Sequence, residues 1–368
     1  MKRMDEVVLR RLIHQNPELA FEEHNTQKLI IGFAHSLGLN NIVTVGTGVL
    51  VLVGRNRDEP FVLLRAEMDA LPIREETKYA YRSKNEKMHA CGHDFHIAAA
   101  CWAMRRIVQE KRRGNFLFVF QPAEESGAGA KTIVEHILRW DCEVKAAVAM
   151  HVTDEYPIGV VASKPGSLFS ASCEVNVHVK GRSVHVAHHQ LGKDALRGSV
   201  VFLNRIYEKD WQNDLVWFGR ILAGHVRNTV ADEALIEGTV RASDSKNVHD
   251  TLATLQKIAK EVEEEIGLKV SIIPGAEYPE VKVDEKLLSV LKAVSQKNGF
   301  EFMECERKLT AEDFGYFSKY FPTLMFWFGV REGSRVEGLH SSRFLPPDEL
   351  IPVAGDLLAH LLDSIGQS

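Results

Sequence analysis

The 368-residue chain has no marked excess of either charge: 45 Lys and Arg stand against 50 Asp and Glu, a net charge of −5. With 45% hydrophobic and 26% charged residues, that balance points neither to polyanion binding nor to disorder. Cysteines are few. The five are widely spaced and odd in number, which does not read as a disulfide framework. No apolar run is long enough to span a bilayer. The start of the chain, Met1-Lys2-Arg3-Met4-Asp5-Glu6, leads into an amphipathic pattern and lacks the apolar centre of a signal peptide. The simplest expectation is a reducing, cytoplasmic setting, in which a cysteine stays available as a thiolate. There is no internal repeat and no low-complexity tract. The length exceeds one ordinary hydrophobic core, so two domains are expected.

What is present is a concentration of ligand-type side chains. Met88-His89-Ala90-Cys91-Gly92-His93-Asp94-Phe95-His96 places one cysteine, three histidines and an aspartate in nine positions, just before an apolar-periodic segment at 97–108. A thiolate and an imidazole flanking a glycine can turn toward one point, and both suit borderline divalent metals such as zinc or manganese. Taken alone, the stretch reads as well as a loop entering a helix, with Asp94 as N-cap and Cys91 as a small buried hydrophobe. A metal site needs ligands from elsewhere in the chain.

Periodicity predicts helices over 7–19 and 26–37, then strands over 42–45, 48–53 and 61–64. The last, continuously apolar, is patterned for burial on both faces and leads into Glu67 and Asp69. A helix to about 111, a strand over 116–120, a helix over 130–138 and a strand over 146–150 follow. Alternation of this kind implies an α/β fold with a mostly parallel sheet. From about 168 the pattern changes: strand 173–179, helix 194–207, strands 215–222 and 234–240, helix 247–266 and strand 268–273. This β-α-β-β-α-β order is that of a ferredoxin-like α+β unit, so 168–279 is expected to be a domain inserted between 1–167 and 280–368. The earlier style resumes with helices over 284–297 and 311–320, a strand over 323–328 and a closing helix over 348–365.

Candidate ligands then fall near several strand ends, where open α/β sheets gather their sites. Glu124 and Glu125 follow one strand, His151 another, and His340 lies in the loop after a fourth. With Cys91 and His93, one thiolate, three imidazoles and a carboxylate suffice for two metals if one group and a water bridge them. Such a pair lowers the pKa of a bound water and polarises a carbonyl. Adjacent Glu124 and Glu125 can divide the labour, one on the metal and one on the proton. Each residue also has an ordinary reading: a helix-dipole acidic pair, a core histidine, a surface histidine.

The runs Leu64-Arg65-Ala66-Glu67-Met68-Asp69-Ala70-Leu71-Pro72, His89-Ala90-Cys91-Gly92-His93-Asp94, Gln121-Pro122-Ala123-Glu124-Glu125, Met150-His151, Ala311-Glu312-Asp313-Phe314 and Leu339-His340 carry a resemblance. They resemble the metal-dependent amidohydrolases that include hippurate hydrolases, N-acetyldiaminopimelate deacetylases and plant auxin-conjugate hydrolases, relatives of aminoacylases and co-catalytic zinc carboxypeptidases. The resemblance covers nearly the whole chain. It implies a zinc-peptidase-like catalytic domain with an inserted lid, and two divalent ions (zinc or manganese, with nickel or cobalt as options). Its ligands would be Cys91, His93, Glu125, His151 and His340, its general base Glu124 and its orienting carboxylate Asp69. In the lid it implies His185 as a catalytic and substrate-contacting residue and Asn228 as a substrate contact, with a homodimer formed through that domain. His89 and His96 are left outside the ligand set. The chain departs from the pattern at Glu67, where aspartate is usual, and in the lid at Ser183-Val184, His189-Gln190 and Val230-Ala231-Asp232.

The function implied is hydrolysis of the amide of an N-acyl, foremost N-acetyl, amino acid, with no nucleic-acid or membrane partner. The alternatives are a dipeptidase or carboxypeptidase on the same scaffold, a non-catalytic binding homologue, and a hydrolase using Cys91 as nucleophile.

Overall fold

A computed structural model describes residues 5–54, 59–125, 127, 129–140 and 142–367. Residues 1–4 of the N-terminal stretch and Ser126 lie outside these. The chain forms two compact units: Met1–Leu168 with Val281–Arg307 and Glu312–Ser368, and Phe169–Glu280 with Lys308–Ala311.

The first unit is built on an eight-stranded sheet whose middle is parallel. In spatial order the strands are Ile42–Val45, Gly48–Val53, Asn115–Gln121, Phe61–Glu67, Val144–Pro157, Thr323–Arg331, Val160–Ser163 and Glu301–Glu304. Asn115–Gln121, Phe61–Glu67, Val144–Pro157 and Thr323–Arg331 run parallel, and an antiparallel hairpin closes the first edge. Every residue of Phe61–Glu67 and Asn115–Gln121 is buried, the apolar runs 61–64 and 116–120 by hydrophobicity and Arg65, Glu67 and Gln121 by pairing. The helix His93–Glu110 packs on Phe61–Glu67 and meets the helices Glu6–Gln15 and Leu350–Gln367.

Several elements differ from the sequence expectation, among them those that frame the candidate site. The helix of the cysteine–histidine stretch begins at His93, four residues ahead of its apolar-periodic segment, with a polar first turn buried by pairing. The strand expected to stop at 150 runs on to Pro157, with Thr153 and Asp154 buried. The helix expected over 311–320 is only Gly315–Ser318, since Glu312 and Asp313 turn inward to Arg65.

The second unit has a four-stranded antiparallel sheet ordered Lys269–Tyr278, Ala171–Lys180, Glu233–Ala242, Leu215–Ala223. Val175, Val177 and Val179 alternate into a core shared with Phe202 and Val262 of the helices Ala195–Glu208 and Ser245–Ile266. Asp194 and Asp244 cap those helices through their side chains.

A buried ion network ties the first helix to the helix carrying the cysteine–histidine stretch. Arg10 Nε donates to Asp94 Oδ2 at 2.9 Å and Arg10 Nη1 to Asp348 Oδ1 at 2.7 Å, while His14 Nδ1 lies 2.9 Å from Asp94 Oδ2. Asp94 is therefore a strut inside the first turn, and the helix is entered through Gly92 without a side-chain cap. Burial alone would push the His14 imidazole down, but Asp94 and Glu75 outweigh it and lift it to about 9. A histidine raised in this way stabilises the fold fully below its unfolded pKa of about 6.5, and the contribution is lost as pH rises through about 9. Its full size is on the order of 3 kcal/mol. Urea melts at pH 6 and pH 9.5 should show wild type losing several-fold more stability across that interval than His14→Gln.

Candidate metal centre

Gly92 sets the geometry of the cysteine–histidine stretch. It holds φ of 83° just before the helix begins, and a Cβ there would meet Val152 Cγ2 at 2.5 Å. Only glycine takes this corner without strain. The turn brings Cys91 Sγ to 3.4 Å from His151 Nε2. Gly92→Ala should therefore cost on the order of 1–3 kcal/mol and weaken metal uptake, read together from a thermal melt and the metal content of the purified protein.

The imidazoles are oriented by what their inner nitrogens bind. His93 Nδ1 donates to the Asp69 carbonyl at 2.9 Å, and His93 Nε2 is buried with no hydrogen-bond partner among the described residues, 3.9 Å from Glu124 Oε2. His151 Nδ1 donates to the Val152 carbonyl at 2.8 Å, leaving Nε2 toward Cys91. His340 adopts φ of 63°, its backbone N–H donates to Ala90 O at 2.9 Å, and its Nε2 lies 3.3 Å from Glu125 Oε1. Asp69 Oδ2 accepts the Glu125 N–H at 2.9 Å, so one residue braces both His93 and the acidic turn.

Together these residues offer sulfur, imidazole nitrogen and carboxylate oxygen to a shared space. Cys91, Glu125 and His340 bring ligand atoms within 4.8 Å of one another, as do His93, Glu124 and Glu125. A buried imidazole nitrogen without a partner is costly unless something positive meets its lone pair. The donor set fits a borderline divalent cation. Burial, reinforced by His96, holds His151 well below the ordinary histidine range, keeping it neutral as a ligand must be. Burial pushes the Cys91 thiol up to about 12; a nearby cation reverses that tendency. Glu124 is raised by burial and by the neighbouring carboxyls of Glu312, Asp313 and Glu125.

Beneath this group lies a layer the sequence reading did not find. The fully buried Arg65 guanidinium donates to Glu67, to Glu312 at 2.8 Å, to Asp313 at 2.7 Å and to Gln121 at 2.9 Å. Three carboxyls around one cation cannot all stay charged cheaply. Burial works against ionisation, yet Arg65 and His96 hold Glu67 well below the carboxylate range, whereas burial lifts Glu312 and carries Asp313 to about 8. The signal was available: an arginine and a glutamate two apart on one face of an otherwise apolar strand. His96 also belongs to this layer, with Nδ1 2.8 Å from Glu67 Oε2. Asp154 was missed altogether; its Oδ2 accepts the N–H groups of Glu337 and Gly338 at 2.6 and 3.0 Å and holds the loop that carries His340. His89 is buried with neither ring nitrogen partnered among the described residues, and burial lowers it to about 4.

In the second unit, His185 precedes a short 3-10 segment, and its Nδ1 accepts the Ala187 N–H at 3.2 Å. The Val186 N–H donates to Asn228 O at 3.0 Å, which sets the His185 and Asn228 segments side by side.

The profile of peptidase family M20/M25/M40 matches residues 63–364. The chain belongs to that family. It is 35% identical over 364 residues to the N-acetyldiaminopimelate deacetylase of Shouchella clausii, covering 96% of each chain. It is 32% identical over 368 residues to the protein of that name from Listeria monocytogenes, covering 97% of this chain and 98% of the other. Among solved structures, a dinuclear metal-binding M20 peptidase of Bacillus subtilis superposes with a TM-score of 0.87 at 27% identity, covering 98% of both chains. Membership of the M20 family agrees with the α/β fold and large, mostly parallel sheet. Among the described residues, no helix is long and apolar enough to cross a membrane.

Proposed function

We propose that this protein is a two-metal hydrolase that cleaves the amide of N-acetyl amino acids, with N-acetyldiaminopimelate the first substrate to test. The observation that carries the reading is the convergence of Cys91, His93, Glu125, His151 and His340 beside a carboxyl, Glu124, that none of them consumes. Those five residues would hold the ions. When bound, two divalent ions lower the pKa of a water and polarise the acyl carbonyl. Glu124 accepts the proton of the attacking water and returns it to the leaving nitrogen. Asp69 orients His93 through its carbonyl and fixes the Glu124–Glu125 turn through its carboxylate. We further propose 1–167 and 280–368 as the catalytic domain, 168–279 as a lid that supports a homodimer, His185 and Asn228 as substrate-binding residues, and a cytoplasmic setting. A nucleophilic role for Cys91 fits less well, because burial raises rather than lowers its thiol.

Dialysis against a chelator should abolish hydrolysis, and back-titration with zinc, manganese, cobalt or nickel should restore it in steps that reveal the stoichiometry. A panel of N-acetyl, N-benzoyl and longer N-acyl amino acids beside dipeptides then fixes the class. Activity that survives complete metal removal, or that favours dipeptides over every N-acyl amino acid, would overturn the assignment.

A further inference from the structure

We infer that Glu67 and His96 form a positioning pair that fixes the His151–Val152 peptide, and through it the direction of His151 Nε2, without themselves binding metal or substrate. The inference rests on the two-metal reading above. By proximity alone, Glu67, His93, His96 and His151 resemble a metal site, with ligand atoms within 4.8 Å of one another. Their hydrogen bonds assign different work to two of them.

The Val152 N–H donates to His96 Nε2 at 3.0 Å, so that nitrogen presents its lone pair and carries no proton. The ring proton is therefore on Nδ1, which donates to Glu67 Oε2 at 2.8 Å. Both nitrogens are engaged, and His96 could bind a cation only by giving up one of these bonds. The two Glu67 oxygens are divided likewise, Oε1 facing Arg65 and Oε2 facing His96.

The bond to Val152 stands where the sheet lacks a strand. Pairing between Phe61–Glu67 and Val144–Pro157 ends at Arg65 and Ala149, two residues short of His151. Past that point the sheet partner of the strand is Thr323–Arg331, with Trp327 opposite His151 and Phe328 opposite Val152. His96 takes up the backbone N–H left beyond the shorter ladder. The Val152 carbonyl accepts from His151 Nδ1 at 2.8 Å. Val152 is thus held at its N–H by one histidine and holds the other through its C=O. Turning that residue would swing the His151 ring, whose Nε2 lies 3.4 Å from Cys91 Sγ. Glutamate at 67 suits the task by reach: aspartate would withdraw the carboxylate by about 1.5 Å, one carbon–carbon bond, from His96 or from Arg65.

The test uses the full chain with zinc as probe, titrated in chelator buffers. Wild type should bind two ions. His96→Leu, which removes the acceptor for Val152, should weaken one of them by about 10- to 100-fold. His96→Gln, which keeps an acceptor for Val152 and a donor for Glu67, should recover most of that loss. Wild-type affinity in His96→Leu overturns the pair, and so does a His96→Gln as weak as His96→Leu. Should His96→Leu fail to fold, cadmium-113 NMR of the wild type labelled with nitrogen-15 in histidine decides: coupling to Nε2 of His93 and His151 but not to His96 supports the pair, and coupling to His96 overturns it. Wild type that binds no metal would sink the two-metal reading along with it, whereas two tight ions with an indifferent His96→Leu sinks the pair alone.

Discussion

Glu124→Gln is expected to lower kcat on N-acetyl amino acids by about 10²- to 10⁴-fold while leaving the bound metal unchanged. The carboxyl sits 3.9 Å from the unpartnered His93 Nε2, yet the five proposed donors are complete without it. Glutamine keeps the size and one carbonyl acceptor but takes up no proton at neutral pH, so binding survives and proton transfer does not. KM should move by less than a factor of about ten, because the loss falls on the transition state. Metal content by atomic absorption, measured beside the kinetics, separates this outcome from a damaged site. A Glu124→Gln enzyme with wild-type kcat would remove the residue from the mechanism.

Arg65→Met should be the most destabilising single change in the first unit, costing about 3–5 kcal/mol at pH 8. The guanidinium is fully buried and meets Glu67, Glu312 and Asp313, so its loss strands carboxyls in a dry interior. Without the cation, the Glu67 pKa rises from below its unfolded value of about 4 to above it, and those of Glu312 and Asp313 rise further. Each then costs stability above its unfolded pKa, and the cost is relieved as pH falls through the folded value. The deficit of the variant relative to wild type should therefore shrink between pH 8 and pH 5.5 in urea melts. An equal deficit at both values would mean that lost packing, and not stranded charge, dominates.

The parallel core of the sheet could be read from the sequence because each of its strands contains a continuous apolar run, at 61–64, 116–120, 146–150 and 323–328, a pattern that burial on both faces enforces. The candidate donors stand out for a different reason: Cys91, His93, Glu125, His151 and His340 are few and chemically distinct, and they lie near strand ends. Sequence spacing does not say which imidazole nitrogen is already taken. His93, His96 and His151 look alike in one dimension; they separate only once Asp69 O, Val152 N and Val152 O are seen to occupy particular nitrogens. Asp154 was invisible because its partners, Glu337 and Gly338, are distant in the chain and use only backbone. The strand through His151 was cut short for a related reason. Thr153 and Asp154 lie past the apolar run that marks the strand, and they are buried all the same.

The place of Thr323–Arg331 between Val144–Pro157 and Val160–Ser163 bears on how the protein is made. Synthesis is vectorial, and this strand leaves the ribosome long after both of its neighbours. Until it arrives, each neighbour presents an unpaired edge of backbone donors and acceptors, open to strands of other nascent chains. A polypeptide halted before Thr323 should aggregate rather than fold, and a holding chaperone should raise the yield of the full chain more than a faster supply of metal would. His340 emerges later still, so the proposed donor set is complete only once the sheet has closed.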